Sequence, residues 1–138
     1  MELAWENIKA GDELPELRKT PDLTQLVKYA AGSGDFNPLH YDPDSAPAKK
    51  IGRIIVHGRF KYASMGQLVA QWLGHRGRIK KLSCQYRGMD FPGEEMVCRG
   101  VVASTRQEDN QKLVEIDLWV QNSHGQKTSV GKALVSVA

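Results

Sequence analysis

The chain has 138 residues, 41% of them hydrophobic and 25% charged, which predicts one globular domain, residues 1–138, with a core of its own. The formal net charge of +3 is weakly basic, and no aromatic platform or nucleic-acid motif accompanies the basic residues, so nucleic acid is not an expected partner. No apolar run approaches the roughly 18 residues of a membrane span, and residues 1–6 do not resemble a signal peptide, so we expect a cytoplasmic protein that binds no membrane.

The first helix is predicted to begin near Thr20 and to end at Gly32. Thr20 is a typical N-cap residue, and Pro21 favours the first helical position. The apolar residues then recur at helical spacing, at Leu23, Leu26, Val27 and Ala30. A short strand is expected upstream, within residues 2–18. The helix therefore leads directly into the segment that begins at residue 33.

Residues 33–56 are predicted to form a long irregular excursion over the domain, because they contain three prolines and several small or charged residues. A compact domain rarely carries so long a loop without a functional reason. Within it, Asp35 and His40 are five residues apart. Pro38 fixes its own φ and pushes Asn37 into an extended conformation, so the chain turns between the two side chains. A carboxylate and an imidazole facing one gap are suited to acid–base chemistry.

Two further carboxylates, Asp42 and Asp44, follow His40 closely and raise the alternative of a metal site. Their spacing matches no common metal-binding loop. We therefore predict that no metal is bound by these residues.

A long, largely buried helix is predicted over residues 57–74, opened by His57 and Gly58. Its apolar residues cover much of the circumference: Phe60, Ala63, Met65, Leu68, Val69, Trp72 and Leu73. Residues 75–81 form a basic cluster after it. This cluster is interpreted as a solvated helix-to-strand turn, with capture of a phosphate-bearing carrier as the alternative.

The remaining residues predict an antiparallel meander, with strands near 82–87, 96–103, 114–120 and 128–137 and a hairpin turn at 122–125. Cys84 and Cys98 have no metal-ligand spacing and are interpreted as reduced, buried thiols in neighbouring strands. A buried helix followed by such a meander predicts an α+β fold, in which an antiparallel sheet wraps around one helix. That arrangement is the hotdog fold.

Residues 33–58 resemble the MaoC-type dehydratases and (R)-specific enoyl-CoA hydratases, a hotdog-fold family. The matches to the family pattern Ser-Gly-Asp-x-Asn-Pro-x-His are Ser33, Gly34, Asp35, Asn37, Pro38 and His40, and His57–Gly58 matches its His-Gly pair. The resemblance implies that Asp35 and His40 are a catalytic dyad and that the amide of Gly58 stabilises an oxyanion. It gives Asn37, Ser33 and His57 supporting roles around the dyad.

The reaction that the resemblance implies is the interconversion of trans-2-enoyl and (3R)-3-hydroxyacyl thioesters by syn addition or elimination of water, without a cofactor. The thioester carrier is CoA or acyl carrier protein, and either member of the dyad can be the base. A hotdog thioesterase is an alternative within enzymes. A non-catalytic subunit that binds acyl thioesters or stabilises a partner is an alternative of another class.

Two features qualify the resemblance. Arg59 and Lys61 stand where the family commonly has apolar residues, which questions the usual acyl pocket or carrier contacts. Gly66 and the opening segment 9–15 resemble the catalytic subunit of the mycobacterial (3R)-hydroxyacyl dehydratase, which works with a non-catalytic partner. Because a single hotdog sheet has exposed edges, we expect a homodimer or higher homo-oligomer, with a heterodimer as the alternative.

Overall fold

Five antiparallel strands and one long helix organise the protein in a computed structural model that describes residues 3–138. The strands are β1 (Leu17–Lys19), β2 (Gly77–Tyr86), β3 (Met96–Glu108), β4 (Gln111–Asn122) and β5 (Lys127–Val137). They form one sheet in the order β1-β3-β4-β5-β2, with every neighbouring pair antiparallel. Each predicted strand is present and most run longer than predicted. Residues 1 and 2, the start of the predicted domain, lie outside the described residues.

The helices are α1 (Leu23–Ser33), α2 (Ala46–Ile51) and α3 (Gly58–Leu73), with 3-10 turns at Trp5–Asn7 and Pro38–His40. Helix α3 packs against β2, β3, β4 and β5. Its apolar contribution to the core is Phe60, Met65, Leu68, Val69 and Leu73. Alternate residues of β4 face the same core and are nearly inaccessible: Val114, Ile116, Leu118 and Val120. The predicted arrangement of a sheet wrapped around a buried helix is confirmed.

Helix α1 differs from its prediction at both ends. Its N-cap is Asp22 rather than Thr20, because the Asp22 carboxylate accepts a hydrogen bond from the Gln25 amide. The helix also continues through Gly32, and Gly34 ends it with a φ of 78°. Left-handed backbone is favoured at glycine, and Gly32 adopts no such conformation. The central helix spans 58–73 instead of 57–74, with His57 as its N-cap.

The excursion before α3 is not irregular throughout, contrary to the prediction. It contains the turn at Pro38–His40 and the helix α2. The prolines favour these starts, because a proline in the first turn of a helix loses no intrahelical hydrogen bond. Ser45 caps α2 by accepting from the amide of Ala48. Pro38 and Pro47 therefore lie in the first turns of the two short helical pieces, whereas Pro43 lies in the turn between them.

The cysteine prediction was wrong in its geometry. Cys98 lies on β3 and Cys84 on β2, and these strands are not neighbours in the sheet. Both thiols are free; Cys98 is buried and Cys84 is half-buried. Burial raises the pKa of Cys98 to about 11, so it stays a neutral thiol at physiological pH.

The basic cluster at 75–81 is only partly a turn, because β2 already begins at Gly77. It lies at the far end of α3 from Gly58, about 24 Å away by the rise of a 16-residue helix. The cluster is therefore remote from the residues predicted to react.

Candidate active site

The C-terminus of α1 positions Asp35. The Ser33 hydroxyl donates to the Tyr29 carbonyl over 2.7 Å and accepts from the Asp35 amide over 3.2 Å. Gly34 provides the left-handed turn between them. These local contacts direct the chain out of the helix and fix the backbone of Asp35. Ser33 thus supports Asp35 through the main chain.

The turn at Asn37 and Pro38 brings His40 back toward Asp35. The Asn37 side-chain oxygen accepts from the Leu39 amide over 3.1 Å, and the Asn37 carbonyl accepts from the His40 amide over 3.1 Å. The Asn37 amide donates to the Asp35 carboxylate over 3.4 Å. Asn37 therefore holds the backbone of the loop rather than the ring of His40.

Asp35 and His40 face each other across a short gap. His40 Nε2 lies 3.9 Å from Asp35 Oδ2, which is too long for a direct hydrogen bond. His40 Nδ1 lies 2.8 Å from the carbonyl oxygen of Ile55. Because a carbonyl only accepts, neutral His40 carries its proton on Nδ1 and presents the Nε2 lone pair to the gap. One water between the two groups could donate to both.

His57 supports both members of this pair. Its fully buried ring stacks on His40, with centroids 4.0 Å apart and an interplanar angle of 23°. Its Nε2 lies 3.3 Å from the Asp35 carbonyl and donates to it. The ring of Tyr29 packs edge-on against the other side, 5.0 Å away. Burial lowers the pKa of His57, and a charge on His40 lowers it further.

The lowered pKa of His57 predicts a loss of stability in acid. The unfolded pKa is about 6.5, so above that pH the ring is neutral in both states and stability is full. As pH falls below about 6.5 the unfolded chain binds the proton first, and the free energy of unfolding decreases by up to ~1.4 kcal/mol per pH unit. Denaturant titrations at several pH values measure this slope. His57→Gln keeps a donor for the Asp35 carbonyl without titrating; a slope as steep as in the wild type would contradict the prediction.

Gly58 is the first residue of α3, so its amide has no acceptor within the helix. The amides of Phe60 and Lys61 instead donate to the carbonyl of His57. A Cβ at position 58 would lie 3.0 Å from Cζ of the Tyr86 ring. Position 58 therefore has an amide without an intrahelical acceptor. Its backbone also lies so close to the Tyr86 ring that a residue other than glycine would have to move that ring.

On the oxyanion role expected for its amide, replacing Gly58 by Ala should lower kcat/KM about tenfold or more, because the Tyr86 ring must move beside that amide. Gly32→Ala is the matched control. Gly32 lies within α1 with open space around its Cα, so alanine there is expected to favour the helix and leave turnover unchanged. Steady-state kinetics with denaturant unfolding measure both effects, and equal turnover in the two variants would exclude this role for Gly58.

Lys61 does not project toward the reacting groups. Its side chain is 2% exposed and its Nζ lies 3.0 Å from the carboxylate of Asp90, with the Gly88 carbonyl at 2.9 Å. The hydroxyl of Thr128 donates to the same carboxylate. The Asp90 carbonyl in turn accepts from the Val56 amide over 2.8 Å. The ion pair therefore anchors the segment that leads into His57 and Gly58.

The site has three further neighbours that were not predicted: Tyr29, Tyr86 and Asp90. No motif marks them: Tyr86 and Asp90 are brought there by the packing of distant segments, and Tyr29 of α1 meets the distant His57 only in the folded protein. Asp42 and Asp44 stabilise a turn, because the Asp42 carboxylate accepts from the Asp44 amide. The side chains of Asp35, His40 and His57 offer ligand atoms within 4.8 Å of one another, a spacing that a metal ion also accepts.

Residues 9–123 match the family described as "MaoC like domain". The chain belongs to this family. It is 29% identical over 136 residues to the (R)-specific enoyl-CoA hydratase of Aeromonas caviae, covering 98% of this chain and 99% of that protein. By contrast, it spans only 5% of the fatty acid synthase subunit beta of Gibberella zeae, with 29% identity over 100 residues. The predicted family membership is confirmed.

Two solved structures share the fold. The (R)-hydratase from A. caviae involved in PHA biosynthesis superposes with a TM-score of 0.83 at 24% identity, covering 96% of this chain and 99% of that chain. The ChsH1-ChsH2 complex from Mycobacterium tuberculosis gives a TM-score of 0.83 at 22% identity, covering 94% and 98%. The predicted hotdog fold is confirmed. Within residues 3–138, none of the helices is both long and apolar enough to span a bilayer.

Proposed function

We propose that this protein is a hydro-lyase that interconverts trans-2-enoyl and (3R)-3-hydroxyacyl thioesters. The observation that carries the proposal is the 3.9 Å gap between Asp35 Oδ2 and His40 Nε2, with the His40 tautomer set by the Ile55 carbonyl. Family membership and the hydratase and dehydratase relatives agree with this class of reaction.

In the hydration direction, a water held between Asp35 and His40 attacks C3 of the enoyl group. The pair takes one proton from the water as the C3–O bond forms, and the electrons of the C2=C3 bond move toward the thioester oxygen. The pair then delivers one proton to C2 on the same face, so the sum is syn addition of one water. Each positioned proton transfer typically contributes about 10²–10⁴-fold to the rate.

The enolate oxygen that develops in this step needs a hydrogen-bond donor. The Gly58 amide at the N-terminus of α3 supplies one, and the helix dipole adds to its effect. His57 holds the Asp35 carbonyl and stacks on His40, so its role is positioning. The reaction requires no metal or cofactor.

The substrate is proposed to be an acyl-CoA or acyl carrier protein thioester, handled in the cytoplasm. Among residues 3–138, the outer edges of β1 and β2 have no partner strand, which favours self-association into a homodimer or higher homo-oligomer. The two-component ChsH1-ChsH2 complex supports a heteromeric partner as the alternative.

The test is an assay of the purified protein with crotonyl-CoA and longer trans-2-enoyl-CoAs, following loss of the enoyl absorbance. We expect turnover to a (3R)-hydroxyacyl product, with the same rate after treatment with EDTA. A well-folded protein that turns over none of these substrates, or one that forms the (3S) product, would contradict the proposal.

A further inference from the structure

A cavity of about 580 Å³ opens beside Gly58, between α3 and β2. Its lining is Tyr29, Arg59, Tyr62, Ala63, Ser83, Cys84 and Tyr86. Two of these residues touch the candidate active site directly. The Tyr86 ring covers the Cα of Gly58, and the Tyr29 ring packs against His57. A group extending from a thioester at Gly58 therefore has this cavity within reach.

Most of the surface that these residues expose to the cavity is apolar, and polar groups stand at several points along it. The lining contains three phenols, a serine and a thiol, whereas leucine, isoleucine, valine, phenylalanine and methionine do not contribute to it. Partial desolvation raises the pKa of both Tyr29 and Tyr86, so their hydroxyls remain neutral hydrogen-bond donors at physiological pH. The Tyr62 hydroxyl already donates to the Leu82 carbonyl, so the phenols of Tyr29 and Tyr86 are the ones available to a bound acyl group, whose carbon chain would lie against the apolar surface.

Arg59 is the one charged residue in the cavity lining. Within residues 3–138, no carboxylate lies within 4.0 Å of its guanidinium, although several other arginines have such partners. Lys61, two residues later, is neutralised by Asp90 and faces away. Arg59 is exposed, and the cavity therefore presents a guanidinium without a carboxylate partner beside the phenols of Tyr29 and Tyr86, a combination suited to an anion.

We infer that the acyl group of the substrate bears a carboxylate at its far end, which Arg59 binds in this cavity. The inference rests on the proposed function and names the substrate class of the same site: a short trans-2-enoyl thioester of a dicarboxylic acid. Arg59 directly follows Gly58, so the carboxylate lies only a few bonds from the thioester carbonyl. The Tyr29 and Tyr86 hydroxyls are available as further donors to it.

The test compares trans-glutaconyl-CoA with trans-2-pentenoyl-CoA, which have the same number of acyl carbons and differ in a terminal carboxylate against a methyl group. For the wild type we expect kcat/KM to favour the carboxylate at least tenfold. Arg59→Met should lower that ratio by about 10–100-fold, the usual effect of losing a charge-assisted hydrogen bond. Arg59→Lys should keep part of the preference. Lys28→Met, which removes an exposed charge outside the cavity, should leave the ratio unchanged.

Two results would overturn the inference. One is a wild-type preference for pentenoyl-CoA. The other is an equal loss of kcat/KM on both CoA substrates in Arg59→Met that is absent with the corresponding N-acetylcysteamine thioesters. These thioesters lack the phosphates of the carrier, so this result would mean that Arg59 binds the carrier.

Binding separates failure of this inference from failure of the proposed function. Glutaryl-CoA and pentanoyl-CoA are saturated and cannot be hydrated, so calorimetry reports their affinities without turnover. If no enoyl thioester reacts but glutaryl-CoA binds more tightly through Arg59, the reaction is wrong and the carboxylate site stands. If the wild type binds both equally, the carboxylate site is wrong. Circular dichroism checks the fold, and Arg59→Lys replaces the Met variant if that variant does not fold.

Discussion

Asp35→Asn and His40→Gln are each expected to lower kcat/KM for crotonyl-CoA by about 10²–10⁴-fold, because each removes one partner of the proton transfer. Asparagine keeps the size of Asp35 but cannot take up a proton. Glutamine cannot act as a base, although it retains a donor for the Ile55 carbonyl. Initial rates of each variant at saturating and at low substrate concentration give kcat and kcat/KM, which separate a slower chemical step from weaker substrate binding.

The double variant provides a sharper form of the same test. Because the two groups are proposed to act on one water, Asp35→Asn with His40→Gln should be little worse than the more damaging single variant. Asp42→Asn is the matched control, since that carboxylate accepts from the Asp44 amide in a turn and lies outside the proposed dyad. Wild-type turnover by either single variant would eliminate the dyad.

Lys61→Met is expected to lower the free energy of unfolding by about 3–5 kcal/mol, because it leaves the Asp90 carboxylate buried without its cation. Lys61 and Asp90 are both 2% exposed, and their charged atoms lie 3.0 Å apart. Desolvation makes an unpaired charge far more costly at this place than at the surface. Urea unfolding at neutral pH measures the difference.

The pair, rather than the lysine alone, is responsible for this expected loss. Lys61→Met combined with Asp90→Leu should recover much of the lost stability, because replacing a whole buried ion pair by apolar residues is often neutral or favourable. Arg53→Met is the surface control; its pair with Glu94 is well exposed and its removal should change stability much less. Strictly additive effects of the two buried substitutions would show that they do not interact.

Local chemistry accounts for the part of the site that the sequence predicted. Pro38 restricts its own φ and that of Asn37, so the turn that brings His40 toward Asp35 follows from neighbouring residues. The burial of α3 and the alternation along β4 could likewise be predicted, because the spacing of hydrophobic residues indicates which face of an element packs against the core. The predicted start of α1 was wrong because two local signals competed. Thr20 and Asp22 both suit an N-cap, and in the structure the Asp22 carboxylate is the one that accepts from the Gln25 amide.

By itself, then, the sequence determined the family, the hotdog arrangement and the segment that holds Asp35 and His40. Only the tertiary structure decided which partners these residues meet: the Ile55 carbonyl that sets the His40 tautomer, the stacked His57, the Asp90 that draws Lys61 inward, and the tyrosines beside Arg59. The physical reason is the range of the interactions. Backbone geometry is set by adjacent residues, whereas burial, charge pairing and cavities arise where segments far apart in the chain pack together.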